Sequence, residues 1–396
     1  MRRSFRYASH TTMSSYQLIV LSGGGAKGPY GLGVLLALSK FHQERQKQIT
    51  KIYCGSSVGA LNATLAAQGD LGQLKDLYAR LRTEDIIGTK HSRVSYFGML
   101  VALNRVPFHY FRNSALRSTI ARHVRFDRLN GAHLLICATN YSTGELETFY
   151  TSHLVDEFVA DDRNRPTETR RLINYHRLHS QDDLVQALLA STAVPFYLPP
   201  VRVGPSLYVD GGIGNNTPLR QAAYVCRFLS CRADVQLEPT FCVINDPDRF
   251  KIEHNESSDL FGVIRRTMDI FHNELLTGSH FAWDRINREV RISQERENLL
   301  DSDIGRLEAL PLDDKVALRN RVGEVLRPEN TSTPRRELPL LVVRPKTPLV
   351  VEDLLSFDPE VSKRLKEHGT ADCLELLEHK SFITHNDLRR WNTAIE

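Results

Sequence analysis

Short runs of consecutive apolar residues, each closed by glycines or a polar turn, alternate along this chain with longer stretches. In those stretches the apolar positions recur every three or four residues. Gln17-Leu18-Ile19-Val20-Leu21 is the first run and predicts a buried strand. The glycine-rich loop Ser22-Gly23-Gly24-Gly25-Ala26-Lys27-Gly28 follows at once. From Tyr30 to about Gln46, Leu32, Leu35, Leu36, Leu38 and Phe41 fall at helical spacing. Lys51-Ile52-Tyr53-Cys54 predicts a second buried strand, and the small residues of Val58 to Ala67 a second helix. Strand, helix and strand make a βαβ unit, which requires parallel strands and a right-handed crossover. Both connecting loops then lie at the carboxyl ends of neighbouring strands, where open α/β sheets hold their ligands. The glycine loop and Gly55-Ser56-Ser57-Val58-Gly59 are therefore expected side by side.

Residues 70 to 130 read as mostly helical. They carry an aromatic stretch, Tyr96, Phe97, Met99, Phe108, Tyr110 and Phe111. It fits a lid or lipid-contacting surface, and it fits core positions of ordinary helices, the commoner fate of aromatics. His133 to Thr139 predicts a third buried strand, and Glu145 to Tyr150 a hairpin partner turning at Ser142-Thr143-Gly144. Asp161 to Arg171 is charged and reads as a solvated loop. Asp183 to Leu189 is helical, and Leu207-Tyr208-Val209 is a strand ending in Asp210-Gly211-Gly212. Thr217 is the expected N-cap of the next helix, with Pro218 at its first position. Thr240 to Ile244 and Leu338 to Val343 are further strands. Leu260 to Leu276 reads as an amphipathic helix, Trp283 to Gln294 as a further element, and Asp358 to Lys380 as a helix.

Composition changes this picture little. Of the 396 residues, 41% are hydrophobic and 25% charged, which is ordinary for a globular chain. A net charge of +4 makes no case for nucleic acid and is compatible with an anionic membrane surface. Six cysteines are scattered without metal-ligand spacing, and Cys54, Cys137 and Cys242 lie in apolar strands. A reducing, cytoplasmic location without a metal site is expected. No run of eighteen apolar residues exists, so no transmembrane helix is expected. Residues 1 to 15, with Arg2, Arg3 and Arg6 and no apolar core, read as a disordered tail rather than a signal or transit peptide.

The chemistry begins with Gly-x-Ser-x-Gly at Gly55 to Gly59. A serine on a strand-to-helix turn is pushed out with its hydroxyl exposed, beside the positive end of the helix. The glycine loop has two readings. Gly23 to Gly28 fits the Gly-x-Gly-x-x-Gly of dinucleotide sites, but the second strand ends in Cys54-Gly55 where that reading needs an acid. A Walker loop is excluded because no Gly-Lys-Ser/Thr follows. As an oxyanion hole, the N–H groups of Gly24, Gly25 or Ala26, with that of Val58, would hold a tetrahedral oxyanion next to Ser57. A base is also needed. The histidines after the sheet, His254, His272, His280, His368, His379 and His385, sit in helical or polar stretches. Asp210 follows a strand and is freed by two glycines. It could lie directly against the Ser57 hydroxyl or simply form an Asp-Gly turn.

Taken together these residues resemble the patatin-like phospholipase family. Ser22 to Gly28 is similar to its oxyanion loop, Gly55 to Gly59 to its nucleophile elbow, and Asp210-Gly211-Gly212 to its catalytic Asp-Gly-Gly/Ala. Further matches are Ala138 to Gly144, Ala190 to Pro195 and Asn216 to Leu219. The resemblance covers about Tyr16 to Asp246, and Phe357 to Gly369 is similar to a tail found in bacterial members. It implies a three-layer α/β/α fold with a mostly parallel central sheet and a C-terminal, mainly helical extension. It also implies a Ser57–Asp210 dyad without histidine: Ser57 as nucleophile, Asp210 as proton acceptor, and an acyl-enzyme. Gly23, Gly28, Gly55, Gly59, Gly211 and Gly212 are its motif glycines. Ser22 stands where many members have Asp, and Lys27 where many have Arg, which puts the rigidity of the loop in question.

The expected organisation is a tail over 1–15, a catalytic domain over 16–246 and an extension over 247–396 packed on it. The expected function is hydrolysis of fatty acyl esters of membrane glycerophospholipids, at a peripheral membrane surface, with no cofactor and no nucleic acid, and with room for an unidentified activator. Two alternatives stand beside it: a catalytically silent lipid- or partner-binding scaffold, and a His-dependent esterase of small esters.

Overall fold

A computed structural model describes residues 14–46, 48–88, 111–163, 174–230, 232, 234–247, 337–351 and 353–382, and scattered positions between 283 and 318. The aromatic stretch from Tyr96 to Tyr110 and the helix expected over Leu260 to Leu276 lie outside these residues.

The first βαβ unit is present as β1 (Ser14–Leu21), α1 (Gly28–Arg45) and β2 (Thr50–Ser56), with the two strands parallel. Ser14 and Ser15 belong to β1, where they pair with Val235 and Gln236, so the tail expected over 1–15 gives up its last two residues to the sheet. Three helices follow, α2 (Val58–Ala67), α3 (Leu71–Arg80) and the short α4 (Glu84–Ile87), and then α5 (Ser114–His123). The antiparallel hairpin of β3 (His133–Asn140) and β4 (Leu146–Tyr150) lies on the far side of β2. Helix α6 runs over His153–Arg163, so Asp161 to Arg163, expected in a loop, extend a helix instead. Its buried Leu154, Val155 and Phe158 carry the helical register through the acidic end.

After β5 (Tyr175–Arg177) and α7 (Gln181–Ser191), the hairpin β6 (Val201–Val203) and β7 (Ser206–Val209) delivers the chain to Asp210. The Asp-Gly-Gly that follows is not a simple turn. It opens the five-residue helix α8 (Gly211–Asn215), with Asp210 as its cap. Helix α9 covers Leu219–Ser230, one residue later than expected from Thr217 and Pro218. Strands β8 (Val235–Leu237) and β9 (Thr240–Val243) follow, then β10 (Leu340–Val343) and the long helix α10 (Pro359–His379).

The main path of the sheet is β10-β9-β1-β2-β3-β4-β5, parallel from β10 through β3. Its central strands are covered on both faces, which explains their continuous apolar runs. One face packs on α1, α2, α3, α7 and α10, and the other on α6, α9 and Trp283. Residues from beyond 247 thus supply an edge strand of this sheet and a helix of one layer. Asp358 caps α10 through the N–H groups of Glu360 and Val361, with Pro359 at the first helical position, which fixes where that helix starts. Helix α10 lies on α1 at backbone distance. A methyl on Gly33 would overlap the Lys366 carbonyl, and one on Gly369 the Tyr30 carbonyl. Thr370 Oγ1 donates to the Gly33 carbonyl at 3.2 Å, and Tyr30 OH to Asp372 Oδ2 at 2.8 Å.

Candidate active site

Ser57 stands between β2 and α2 with φ 54° and ψ −130°, a conformation that costs a non-glycine residue on the order of 1–3 kcal/mol and persists only where its surroundings enforce it. They do. A methyl on Gly55 would overlap the Gly59 carbonyl, and one on Gly59 the Leu21 carbonyl, so Gly55 lets the turn fold onto the start of α2 and Gly59 lets it close against β1. The Ser57 N–H donates to Ser191 Oγ at 2.9 Å, and Ser191 Oγ donates to the Cys137 carbonyl at 2.6 Å. One hydroxyl from α7 thereby ties the turn to the centre of the sheet.

Asp210 reaches the same point from β7. Ser57 Oγ donates to Asp210 Oδ2 at 2.6 Å, and the Gly212 N–H donates to Oδ1 at 2.7 Å. Both side chains are nearly closed off, with 6% of Ser57 and 5% of Asp210 exposed. Burial raises the Asp210 carboxyl from 3.8 to about 6, and the Ser57 and Gly212 hydrogen bonds hold back part of that rise. A carboxylate titrating there is ionised at neutral pH yet basic enough to share a serine proton. The Asp210 N–H donates to the Ala193 carbonyl at 2.9 Å, and Thr139 Oγ1 donates to the Asp210 carbonyl at 3.0 Å. Below it, Tyr208 OH and His176 Nε2 lie 2.6 and 2.7 Å from Glu147 Oε2, and Asn140 Nδ2 donates to Oε1 at 2.9 Å. Burial works against that carboxylate, but these hydrogen bonds outweigh it and keep it below its ordinary value. The network anchors β7 to β3 and β4, just ahead of Asp210.

The glycine loop arrives from β1. Gly24 has φ 145° and Gly25 φ 55°, conformations that glycine adopts freely and side-chain residues only under strain. A methyl on Gly23 would overlap Asn216 Oδ1 and come within 3.1 Å of Ser57 Cβ, which places this loop directly over the serine. The N–H groups of Gly24, Gly25 and Val58 have no protein acceptor among the described residues. Ala26 differs from expectation. Its N–H donates to the Leu354 carbonyl at 2.7 Å, which removes it from the set of available donors. The two departures around the loop are tethered to the end of β9. The Asn245 N–H donates to Ser22 Oγ at 3.0 Å, and Lys27 Nζ pairs with Asp246 at 2.6 Å. Asn245 Nδ2 also donates to the Ser22 and Gly23 carbonyls, at 3.1 and 2.8 Å.

Thr139, Ser191 and Asn216 lie in segments matched to the family but given no role from sequence, and Asn245 was not singled out at all. Thr139 closed one predicted strand and Asn245 directly followed another, and a polar residue at the carboxyl edge of a buried run was the available signal. Among the described residues no histidine bonds to Ser57 or Asp210. His368 lies instead against the Tyr30 ring and Asp372.

The Ser57–Asp210 pair, with the glycine loop over it, is an arrangement suited to nucleophilic attack on a carbonyl. The patatin-like phospholipase profile matches residues 19–223, more than half of the 396-residue chain, and the span contains all three parts. The chain belongs to the patatin-like phospholipase family. It is 28% identical over 216 residues to a cGAMP-activated phospholipase of Pseudomonas aeruginosa (strain BWHPSA011 / Pa011), covering 52% of this chain and 56% of the relative. It is 26% identical over 239 residues to the human calcium-independent phospholipase A2-gamma, covering 58% of this chain and 28% of the relative. The chain thus spans about half the length of the first of these patatin-like relatives and about a quarter of the second. A solved structure, VipD from Legionella pneumophila, aligns over 93% of this chain and 67% of its own at 14% identity and a TM-score of 0.34. No helix among the described residues is long and apolar enough to cross a membrane.

Proposed function

We propose that this patatin-like protein is a serine acyl hydrolase that cleaves fatty acyl esters of glycerophospholipids through Ser57 and Asp210. The observation that carries the reading is the 2.6 Å hydrogen bond from the buried Ser57 hydroxyl to the Asp210 carboxylate. Asp210 takes the serine proton as Oγ attacks the ester carbonyl. The N–H groups of Gly24, Gly25 and Val58 receive the oxyanion, each donor contributing roughly 3–4 kcal/mol at the transition state. Asp210 then returns its proton to the departing alcohol oxygen, and an acyl-Ser57 ester remains. Water, deprotonated by Asp210, attacks that ester. The fatty acid leaves, and Ser57 recovers its proton.

A lipid substrate also fits the surroundings. Tyr141, Phe196 and Val350 are 65%, 44% and 73% exposed. Tyr141 follows β3, Phe196 comes three residues after the Ala193 that holds Asp210, and Val350 precedes Leu354. Each is close in sequence to a residue of the site, and exposed apolar side chains there would suit contact with a bilayer. The scaffold reading has the intact pair against it.

The test is fatty-acid release from mixed phospholipid vesicles by wild type, Ser57→Ala and Asp210→Ala, beside a short-chain chromogenic ester. The assay is run with and without a cyclic dinucleotide, because one relative is named as cGAMP-activated. Release by wild type and a loss of at least about a thousandfold in both variants is the expected result. Activity retained by Asp210→Ala would remove the dyad, and an inert wild type under every condition would favour the scaffold.

A further inference from the structure

The segment 353–357 lies outside the matched span of residues 19–223, yet it touches the glycine loop. The Ala26 N–H donates to the Leu354 carbonyl at 2.7 Å. A methyl on Gly25 would overlap that same carbonyl and sit 3.3 Å from Leu354 Cα, so the segment runs backbone to backbone across the loop. Two clips hold it there. On one side Tyr197 OH donates to Asp353 Oδ1 at 3.0 Å, and that oxygen also accepts the Leu354 N–H at 2.7 Å. On the other, Thr83 Oγ1 accepts the Phe357 N–H at 3.0 Å and donates to the Phe357 carbonyl at 3.3 Å. Leu349, Leu355 and Phe357 are buried in the core beside them.

We infer that this strap is part of the active site. Its Leu354 carbonyl is a positioning group that holds Ala26 and thereby aims the N–H groups of Gly24 and Gly25 at the Ser57 oxyanion. The inference rests on the acyl-hydrolase reading above. Three successive peptide planes in a glycine loop can rotate at little steric cost, so N–H direction must be imposed from outside. One end of the loop is fixed by Asn245, through the Ser22 and Gly23 carbonyls. The other end is fixed by Leu354. The acceptor is a main-chain carbonyl, so its side chain matters little, while the two clips set its place. The N–H that the strap takes, that of Ala26, is one of the four expected from sequence to serve the oxyanion.

The experiment releases the clips without touching the loop. Thr83→Val and Asp353→Ala are compared with Thr83→Ser and Asp353→Asn, which keep the hydroxyl and the accepting oxygen. Active sites are counted by labelling Ser57 with a fluorophosphonate, and kcat and KM are measured on a short-chain ester per labelled site. Amide exchange over residues 22–28 is followed in the same proteins. The expected result is a fall in kcat of about 10- to 100-fold in the releasing variants, less than the roughly 100- to 1,000-fold cost of removing one donor outright, because the donors are misaimed rather than lost. KM should change little, the conservative variants should recover most activity, and exchange over 22–28 should speed up only where a clip is lost. Unchanged kcat per labelled site would overturn the inference, and so would unchanged exchange. A rise in kcat would overturn it in favour of a strap that covers the site. A wild type that takes no label at Ser57 refutes the hydrolase reading, and the exchange measurement still decides whether the strap holds the loop.

Discussion

Asp210→Asn should abolish catalysis and at the same time stabilise the fold, by an amount that depends on pH. The carboxyl titrates at about 6 in the folded protein against 3.8 ordinarily, because burial disfavours its charge. Between these values the folded state binds more protons than the unfolded one, so folding weakens as pH rises through the window. The penalty is absent below the ordinary value and complete above the raised one. The rise corresponds to about 3 kcal/mol at about pH 8, about 1.6 at pH 5 and nearly nothing at pH 3. Asparagine has no such penalty. Its oxygen can accept the Gly212 N–H while its NH2 donates to Ser57 Oγ, and any loss from this weaker pairing is the same at every pH. The measurement is urea denaturation of wild type and variant across that range, because groups common to both proteins cancel in the difference. A difference that grows by about 3 kcal/mol between acid and pH 8 is expected. A flat difference, or a variant that loses ground as pH rises, would refute the assignment of a costly buried charge to Asp210.

The same titration governs rate. With Asp210 as base, kcat/KM should fall tenfold per unit below about pH 6 and level off above it, and a profile flat from pH 5 to 8 would point to another base. Ser191→Ala strips one partner from each of two buried backbone groups, the Ser57 N–H and the Cys137 carbonyl. A loss of about 2 kcal/mol by denaturation is expected, with kcat falling as the strained turn relaxes. Gly33→Ala places a methyl on the Lys366 carbonyl and should cost about 1–3 kcal/mol, with earlier proteolysis of α10 than in wild type.

Much of the frame was legible because it rests on short-range signals. Gln17 to Leu21 and Thr240 to Ile244 are apolar on both faces, which central parallel strands require, and Asp358-Pro359 announces α10. The Ser57 turn and the glycine loop could be placed at one sheet edge from the βαβ order, while Asp210, reached by the antiparallel β7, was placed only through the family resemblance. What escaped depends on contacts distant in sequence. The commitment of Ala26 to Leu354 leaves no trace in either segment, since a carbonyl carries no side-chain signature. Helix α8 looked like a turn, because Gly211 and Gly212 are poor helix formers held by the Asp210 cap. A methyl on Gly211 would overlap the Cys137 carbonyl, and tight packing against β3 overrides propensity there. The end of the acidic helix α6 was read as loop because its charges hide three buried apolar residues a turn earlier.

The notch where α10 meets α1 also bears on how the protein is made. Gly33 and Thr370 touch across 337 residues of chain. Contacts this distant slow folding, because loop closure must precede the gain from burial. Synthesis at about 5–20 residues per second leaves α1, the open edge of β9 and the glycine loop without their last partners for many seconds. During that interval Ser57 and Asp210 have both left the ribosome, but Leu354 has not reached Ala26. Chaperone demand should concentrate in this window, and an incomplete chain would lack the strap that steadies its hydrolytic site. Emergence of residues 353–357 from the ribosome would then be the step that lets the glycine loop settle over Ser57.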